Sequence, residues 1–257
     1  MRIAVAGATG NIGKLTVAAL TRDGHQVVPI SRSQGVDLTT GAGLDAVLAG
    51  VDAVVDVTNA PAAGREETVA YFGGTTGNLL AAEQRAGVRH HVLLSIANVH
   101  GVEGNAHYAG KQEQERLVEA GPVAFTIVPA TQFHDFAEMI VSWSEQDGVA
   151  PVPPLLMQPI APADVAEVLA RVAGGEPQGR HVDVAGPDPQ DLVDMARRTL
   201  AARGRSVKLV PTWDGPLFGV AMAGNVLLPG KDAWIAPTTF EAWVAGVAQV
   251  AQQGADD

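Results

Sequence analysis

Through the first half of the chain, short apolar runs alternate with segments whose apolar residues recur at helical spacing. That is the pattern of parallel strands covered by helices on both faces. The runs predict strands at Arg2 to Ala6, Gln26 to Ile30, Ala53 to Asp56, His91 to Ser95 and Ala124 to Val128. Between them the spacing predicts helices at Ile12 to Arg22, Leu44 to Ala49, Thr68 to Ala86 and Gln112 to Ala120. The third of these holds Gly73, Gly74 and Gly77, and each glycine inside a helix costs about 1 kcal/mol against alanine. Close packing against the sheet is the expected reason for them.

After Pro129 the pattern changes. A helix is predicted from Phe133 to Glu145, and "GVAPVPPLLMQPIAP" then reads as an ordered, irregular connection because of its prolines. "ADVAEVLARVAGG" reads as a helix entered at Pro162 or Ala163 and ended by two glycines. A strand "RHVDVAG", a helix around Leu192 to Arg203, a short strand "SVKLVP" and a last helix near Phe240 to Val250 follow, and the terminal "QQGADD" is expected to fray. No internal repeat is visible.

A length of 257 residues with 47% hydrophobic and 18% charged residues is that of a globular protein with a sizeable core. The formal charge of −11 and the lack of any basic run argue against a surface for nucleic acid. Absence of cysteine removes disulfides, thiolate catalysis and cysteine-held metal. Only Met1 and Arg2 precede the apolar run "IAVAG", which leads into a glycine turn, so no signal peptide is expected. No stretch is long and apolar enough to predict a membrane span. The expected location is the cytoplasm.

"IAVAGATGNIGKLTVAAL" sets Gly7, Gly10 and Gly13 between an opening strand and a helix. Glycine there lets the backbone approach a pyrophosphate, and the helix N-terminus offers N–H donors and a positive dipole. Its place in the first strand–helix unit is the context that makes this spacing a dinucleotide motif. Thr9, Asn11 and Ile12 belong to the same turn. An NAD site would carry an acidic residue about 20 positions on, at the ribose 2′-hydroxyl. Here that place reads "ISRSQG", and Arg32 between Ser31 and Ser33 suits a 2′-phosphate. NADP(H) is therefore expected over NAD(H). Asp37 and Leu38 are expected to border the adenine, and "DVTNAP", with Thr58 and Asn59, to end a strand at the cofactor's centre.

The glycine loop, "SRS", "DVTN", "LLSIANV" and "HYAGKQEQE", in this order, resemble the NmrA-like branch of the atypical short-chain dehydrogenase/reductase superfamily over nearly the whole chain. The resemblance implies an α/β fold with a Rossmann-type doubly wound parallel sheet and a small C-terminal substrate lobe. Residues 1–132 would be mainly the NAD(P)-binding core, and 133–257 mainly the lobe, with some elements returning to the core. It implies an NADPH-dependent oxidoreductase that transfers hydride to a carbonyl, quinone or enone-like small molecule. Alternatives are a non-catalytic NADP-binding redox sensor, or a tailoring enzyme of secondary metabolism that oxygenates or isomerises a polyphenol.

In active relatives of this kind a tyrosine four residues before a lysine protonates the substrate, while the lysine holds the nicotinamide ribose and lowers the tyrosine pKa. Here the residue four before Lys111 is His107, and Tyr108 is one position off. Both lie on one helical face with Lys111, so Tyr108, His107 and Lys111 are the catalytic candidates. The resemblance adds Ser95 as the substrate-orienting hydroxyl, Pro129, Ala130 and Thr131 beside the nicotinamide carboxamide, and Phe133 as a wall of the pocket. His134 and Asp135 read as helix-start residues. His90, His91, His100 and His107 lack ligand spacing, so no metal site is expected. No G-x-S-x-G nucleophile elbow occurs, and the four tryptophans default to core.

Overall fold

The computed structural model describes residues 1–61, 63–214 and 218–253, and the chain divides into two compact units. One consists of Met1–Pro129 with Val165–Val182, the other of Ala130–Asp164 with Asp183–Asp257. Of the terminal "QQGADD" expected to fray, Gln252 and Gln253 end the last helix, and residues 254–257 lie outside the described residues.

In the first unit, strands β1 (Arg2–Ala6), β2 (Gln26–Ile30), β3 (Ala53–Asp56) and β4 (His90–Ile96) form a parallel ladder. Strand β5 (Phe125–Ala130) lies beyond β4. The order β2-β1-β3-β4-β5 winds outward in both directions from β1. In such sheets ligands bind at the carboxyl ends of the strands where the winding reverses, which here is between β1 and β3. The connections are helices α1 (Asn11–Arg22), α2 (Leu44–Leu48), α3 (Arg65–Ala86) and α4 (Ala106–Ala120). Every residue of β3 is buried, as expected of a strand covered on both faces. Ala4, Ile30, Leu44, Leu48, Val54 and Leu79 join in one core cluster. The first four strands and α1 to α3 fall close to their sequence expectations.

Helix α4 begins six residues before the predicted Gln112, because the Asn105 side chain accepts the Tyr108 N–H (3.2 Å) and caps it. The glycine expectation for α3 is also corrected. A methyl group on Gly74 or Gly77 would meet nothing within 4 Å, and one on Gly73 only Glu113 at ordinary contact distance. The glycine that packing requires is Gly110 on α4, where a Cβ would stand 2.4 Å from Phe72 Cδ2 and 2.9 Å from Thr68 Cγ2 of α3.

In the second unit, helix α5 spans Phe136–Ser144, shorter than its prediction at the amino end. The proline-rich connection contains two short strands, β6 (Val149–Val152) and β7 (Leu156–Met157). Strand β6 pairs with β11 (Lys208–Pro211), and β7 with β10 (Gln190–Asp191). A two-stranded sheet consists of edges only, so Pro151 and Pro211 leave no ladder bond unmade on an outer side.

Helix α6 (Pro162–Ala173) opens on Pro162. The predicted strand "RHVDVAG" is two: β8 (Gly179–Arg180) in the first unit and β9 (Val184–Ala185) in the second. Arg180 pairs with Ile127 and Val184 with Ala130, so one extra residue separates the two pairings and interrupts the strand. Helix α7 (Leu192–Ala202), strand β12 (Trp234–Ile235) beside β9, and helix α8 (Phe240–Gln253) complete the unit. Among the described residues no helix is long and apolar enough to cross a membrane.

Candidate functional site

The turn after β1 is built by its glycines. Gly7 sits at φ +82°, and a Cβ there would stand 2.9 Å from the Val57 carbonyl oxygen and 3.2 Å from the Thr58 nitrogen. A Cβ on Gly13 would stand 2.1 Å from the Gly7 oxygen. The turn therefore folds onto both the start of α1 and the end of β3. Gly10 caps α1 without a side-chain bond, and no acidic residue stands in its first turn, so the dipole and N–H donors of the helix start keep their attraction for an anion. Thr9, Gly10 and Asn11 are exposed around this cradle, while Ile12 anchors the helix in the core. These are the properties a pyrophosphate requires.

Beyond β2, Ser31 and Ser33 bring their hydroxyls within 2.9 Å of each other, and exposed Arg32 opens a single 3-10 turn between them. The Asp37 carboxyl is lowered by hydrogen bonds from the Thr39 hydroxyl and N–H, with a smaller pull from Arg32. Leu38 packs against the core, and its carbonyl accepts from the Asn78 amide (2.9 Å).

The carboxyl ends of β3 and β4 and the start of α4 bring the catalytic candidates together. Lys111 is 5% exposed, and its ammonium donates to the Leu94 carbonyl (2.6 Å) and to Gln114 Oε1 (2.5 Å). Burial draws its pKa down to about 8, against the opposing pull of Asp56 and Glu115. Its ammonium also stands 5.2 Å from the centre of the Phe72 ring. Tyr108 is 5% exposed, one turn earlier. His107 packs edge-on against Phe72, and burial, then the charge of Lys111, depresses its pKa to about 4.

Ser95 is buried and approaches the Glu115 carboxylate without reaching hydrogen-bond geometry. Burial alone would raise Glu115, but Arg180 (2.9 Å), Ser95 and His100 (2.8 Å) outweigh it and hold the carboxyl low. Thr58 and exposed Asn59 follow β3, and Asp56 accepts the Thr58 N–H (2.9 Å). Pro129 ends the first unit, whereas Ala130, Thr131 and Phe133 belong to the second. There Thr131 donates its N–H to Val184 (3.0 Å), and Phe133 bridges to Ile160.

The sequence reading did not assign Asp56, Gln114 or Glu115 to the site. The available signals were an acid closing the apolar strand "AVVD", and polar residues three and four positions after Lys111 on its own helical face. Among the described residues no group of three or more His, Asp or Glu is arranged to hold a metal.

A family model described as NAD(P)H-binding matches residues 7–175, from the glycine turn to the end of α6. The chain belongs to this NAD(P)H-binding family. A curated relative, (4-alkanoyl-5-oxo-2,5-dihydrofuran-3-yl)methyl phosphate reductase of Streptomyces griseus, is 34% identical over 226 residues, 80% of this chain and 75% of that one. Among solved structures, an Escherichia coli NADPH-dependent quinone oxidoreductase superposes with TM-score 0.67 at 18% identity, covering 95% of this chain and 99% of its own. A short-chain dehydrogenase/reductase superfamily protein of Agrobacterium tumefaciens with bound NAD gives TM-score 0.71 at 17% identity, covering 99% and 98%. These two show that the fold is shared. Because one is NADPH-dependent and the other holds NAD, the choice of dinucleotide falls to this chain's own residues.

Proposed function

We propose that the protein is an NADPH-dependent reductase of a small enone-like or carbonyl acceptor. The observation that carries this reading is the buried Lys111 ammonium at the end of β4, in the unit that also holds the glycine cradle. Bound NADPH supplies the hydride. Gly7, Gly10 and Gly13 admit the pyrophosphate to the start of α1, and Arg32 with Ser31 and Ser33 receives the 2′-phosphate.

Lys111, an ammonium at neutral pH with its pKa brought down to about 8, stabilises negative charge on the acceptor oxygen. It also assists Tyr108 in delivering the proton. His107 is the poorer acid: with a pKa near 4 its imidazole is neutral at pH 7. The enone class is favoured over other carbonyls by the curated relative, whose named substrate is an oxo-dihydrofuran bearing an alkanoyl group. In such an acceptor hydride adds to the β-carbon, the electron pair moves to the carbonyl oxygen, and a proton completes the reduced product.

The test has two arms. NADPH at 100 times its dissociation constant should stabilise the fold by about 2.7 kcal/mol, and NADH should do far less at equal concentration. Arg32→Ala should erase most of that difference; equal effects of the two cofactors on the unaltered protein would remove the 2′-phosphate assignment. In the second arm, absorbance at 340 nm follows NADPH oxidation with a panel of enones, quinones and aldehydes, and Lys111→Ala should abolish it. Tight NADPH binding with no turnover across the panel would favour the sensor instead.

A further inference from the structure

Lys111 does not stand alone. Gln114, one turn later and fully buried, accepts from the ammonium through Oε1 and donates through Nε2 to Asp56 Oδ2 (2.8 Å), with a longer approach to Thr58 Oγ1 (3.4 Å). Asp56, 1% exposed, accepts the Thr58 N–H through its other oxygen. The backbone of Val57 and Thr58 is in turn the surface against which Gly7 is closed. An unbroken set of contacts thus runs from the glycine turn through the end of β3 to Lys111.

We propose that Gln114 is a positioning residue for Lys111, fixing its ammonium against the Leu94 carbonyl and tying it through Asp56 and Thr58 to the glycine turn. The chemistry explains why an amide occupies this place. An ammonium only donates and a carboxylate only accepts, so one residue between them must accept on one side and donate on the other. With no solvent at a fully buried side chain, the two partners also fix the amide's orientation. Leucine would leave a carboxylate oxygen and an ammonium hydrogen without partners, and such losses inside a protein are costly. A glutamate in this place would add negative charge beside the Lys111 ammonium and set two carboxylates side by side.

This role rests on the assignment of Lys111 to the chemistry, so the test separates the two. Lys111 is also under the influence of Asp56 from β3, His91 from β4 with Glu83 of α3 bonded to it, and His107 and Glu115 of its own helix. All of these stay in place in the variants at Gln114. In protein carrying 13C-lysine, the resonance lost in Lys111→Ala identifies Lys111, and its pH titration reads the brace without any turnover.

The midpoint, near 8 in the unaltered protein, should fall in Gln114→Leu, which removes an acceptor from the charged form. It should rise in Gln114→Glu, which adds negative charge. In turnover with NADPH and a quinone acceptor, Gln114→Leu should lower kcat at least tenfold, change KM for NADPH less, and move the alkaline limb of the kcat profile the same way. Gln114→Glu should recover most of kcat. An unchanged midpoint in both variants overturns the brace. If Gln114→Leu does not fold, the upward shift in Gln114→Glu decides it. Full activity in Lys111→Ala would instead overturn the catalytic assignment, and the titration would still report on Gln114.

Discussion

Gly13 leaves no space for a methyl group. Its missing Cβ would lie 2.1 Å from the Gly7 oxygen and 2.8 Å from the Gly7 carbonyl carbon, both of them backbone atoms with little freedom to yield. Gly13→Ala must therefore push the turn away from α1, at about 1–3 kcal/mol of overpacking. It should also weaken NADPH binding at least tenfold, because the amides proposed to face the pyrophosphate move with the turn. Thermal denaturation and a fluorescence titration with NADPH check the two effects. A variant with unaltered affinity would show that the turn does not grip the cofactor. At the same scale, Lys111 and His107 differ although one helical turn separates them. Burial lowers the pKa of both, but Lys111 has carbonyl and amide acceptors and two carboxylates nearby, whereas His107 faces the cation of Lys111.

Helices α3 and α4 pack face to face, and their glycines play opposite parts. Gly110 is where α4 meets the buried ring of Phe72, so Gly110→Ala forces Phe72 or the helix to move and should cost about 1–3 kcal/mol. On α3, Gly74 and Gly77 face open space, and alanine there should gain up to about 1 kcal/mol of helix propensity. Urea denaturation of the three single variants tests the contrast; destabilisation by Gly74→Ala or Gly77→Ala would mean that a contact at that face requires the glycine. The packing of α3 on β4 also closes over a wholly buried pair, Glu83 with His91 Nδ1 at 2.9 Å. Burial raises Glu83. For His91 burial acts to lower the pKa, but the Glu83 charge and hydrogen bond outweigh it and raise it. Each group offsets the cost of burying the other, and that makes the junction sensitive to loss of either partner.

For the molecule as a whole, three histidines that burial keeps neutral, His90 among them, add to the acid response. His107 in the first unit and His134 in the second both have pKa values near 4, chiefly because burial penalises their charged forms. The His134 ring donates Nε2–H to the Pro159 carbonyl (3.0 Å) and is enclosed edge-on by Phe240 and Trp243. A histidine depressed in the folded state binds its proton sooner when unfolded, so its stabilising effect is complete above about pH 6.5 and is lost as pH falls to about 4. Stability from urea titrations should therefore fall steeply across that window, and His134→Phe should remove close to one proton from the slope; an unchanged slope would mean that His134 does not titrate in this way.

The sequence by itself determined the first four strands of the first unit, the turn at Gly7, Gly10 and Gly13, and the NAD(P)H class of cofactor, since alternation, glycine placement and strand-to-helix order are local properties. Only the tertiary structure decided that Gly110 rather than Gly74 or Gly77 is forced by packing, because that depends on which ring lies opposite. It also decided that "RHVDVAG" breaks into two strands, because a residue's pairing depends on a partner some fifty positions away. That Asp56 of β3 and the Leu94 carbonyl of β4 join Lys111 and Gln114 is of the same kind: they come from separate elements, and their distance along the chain gives no sign that they meet.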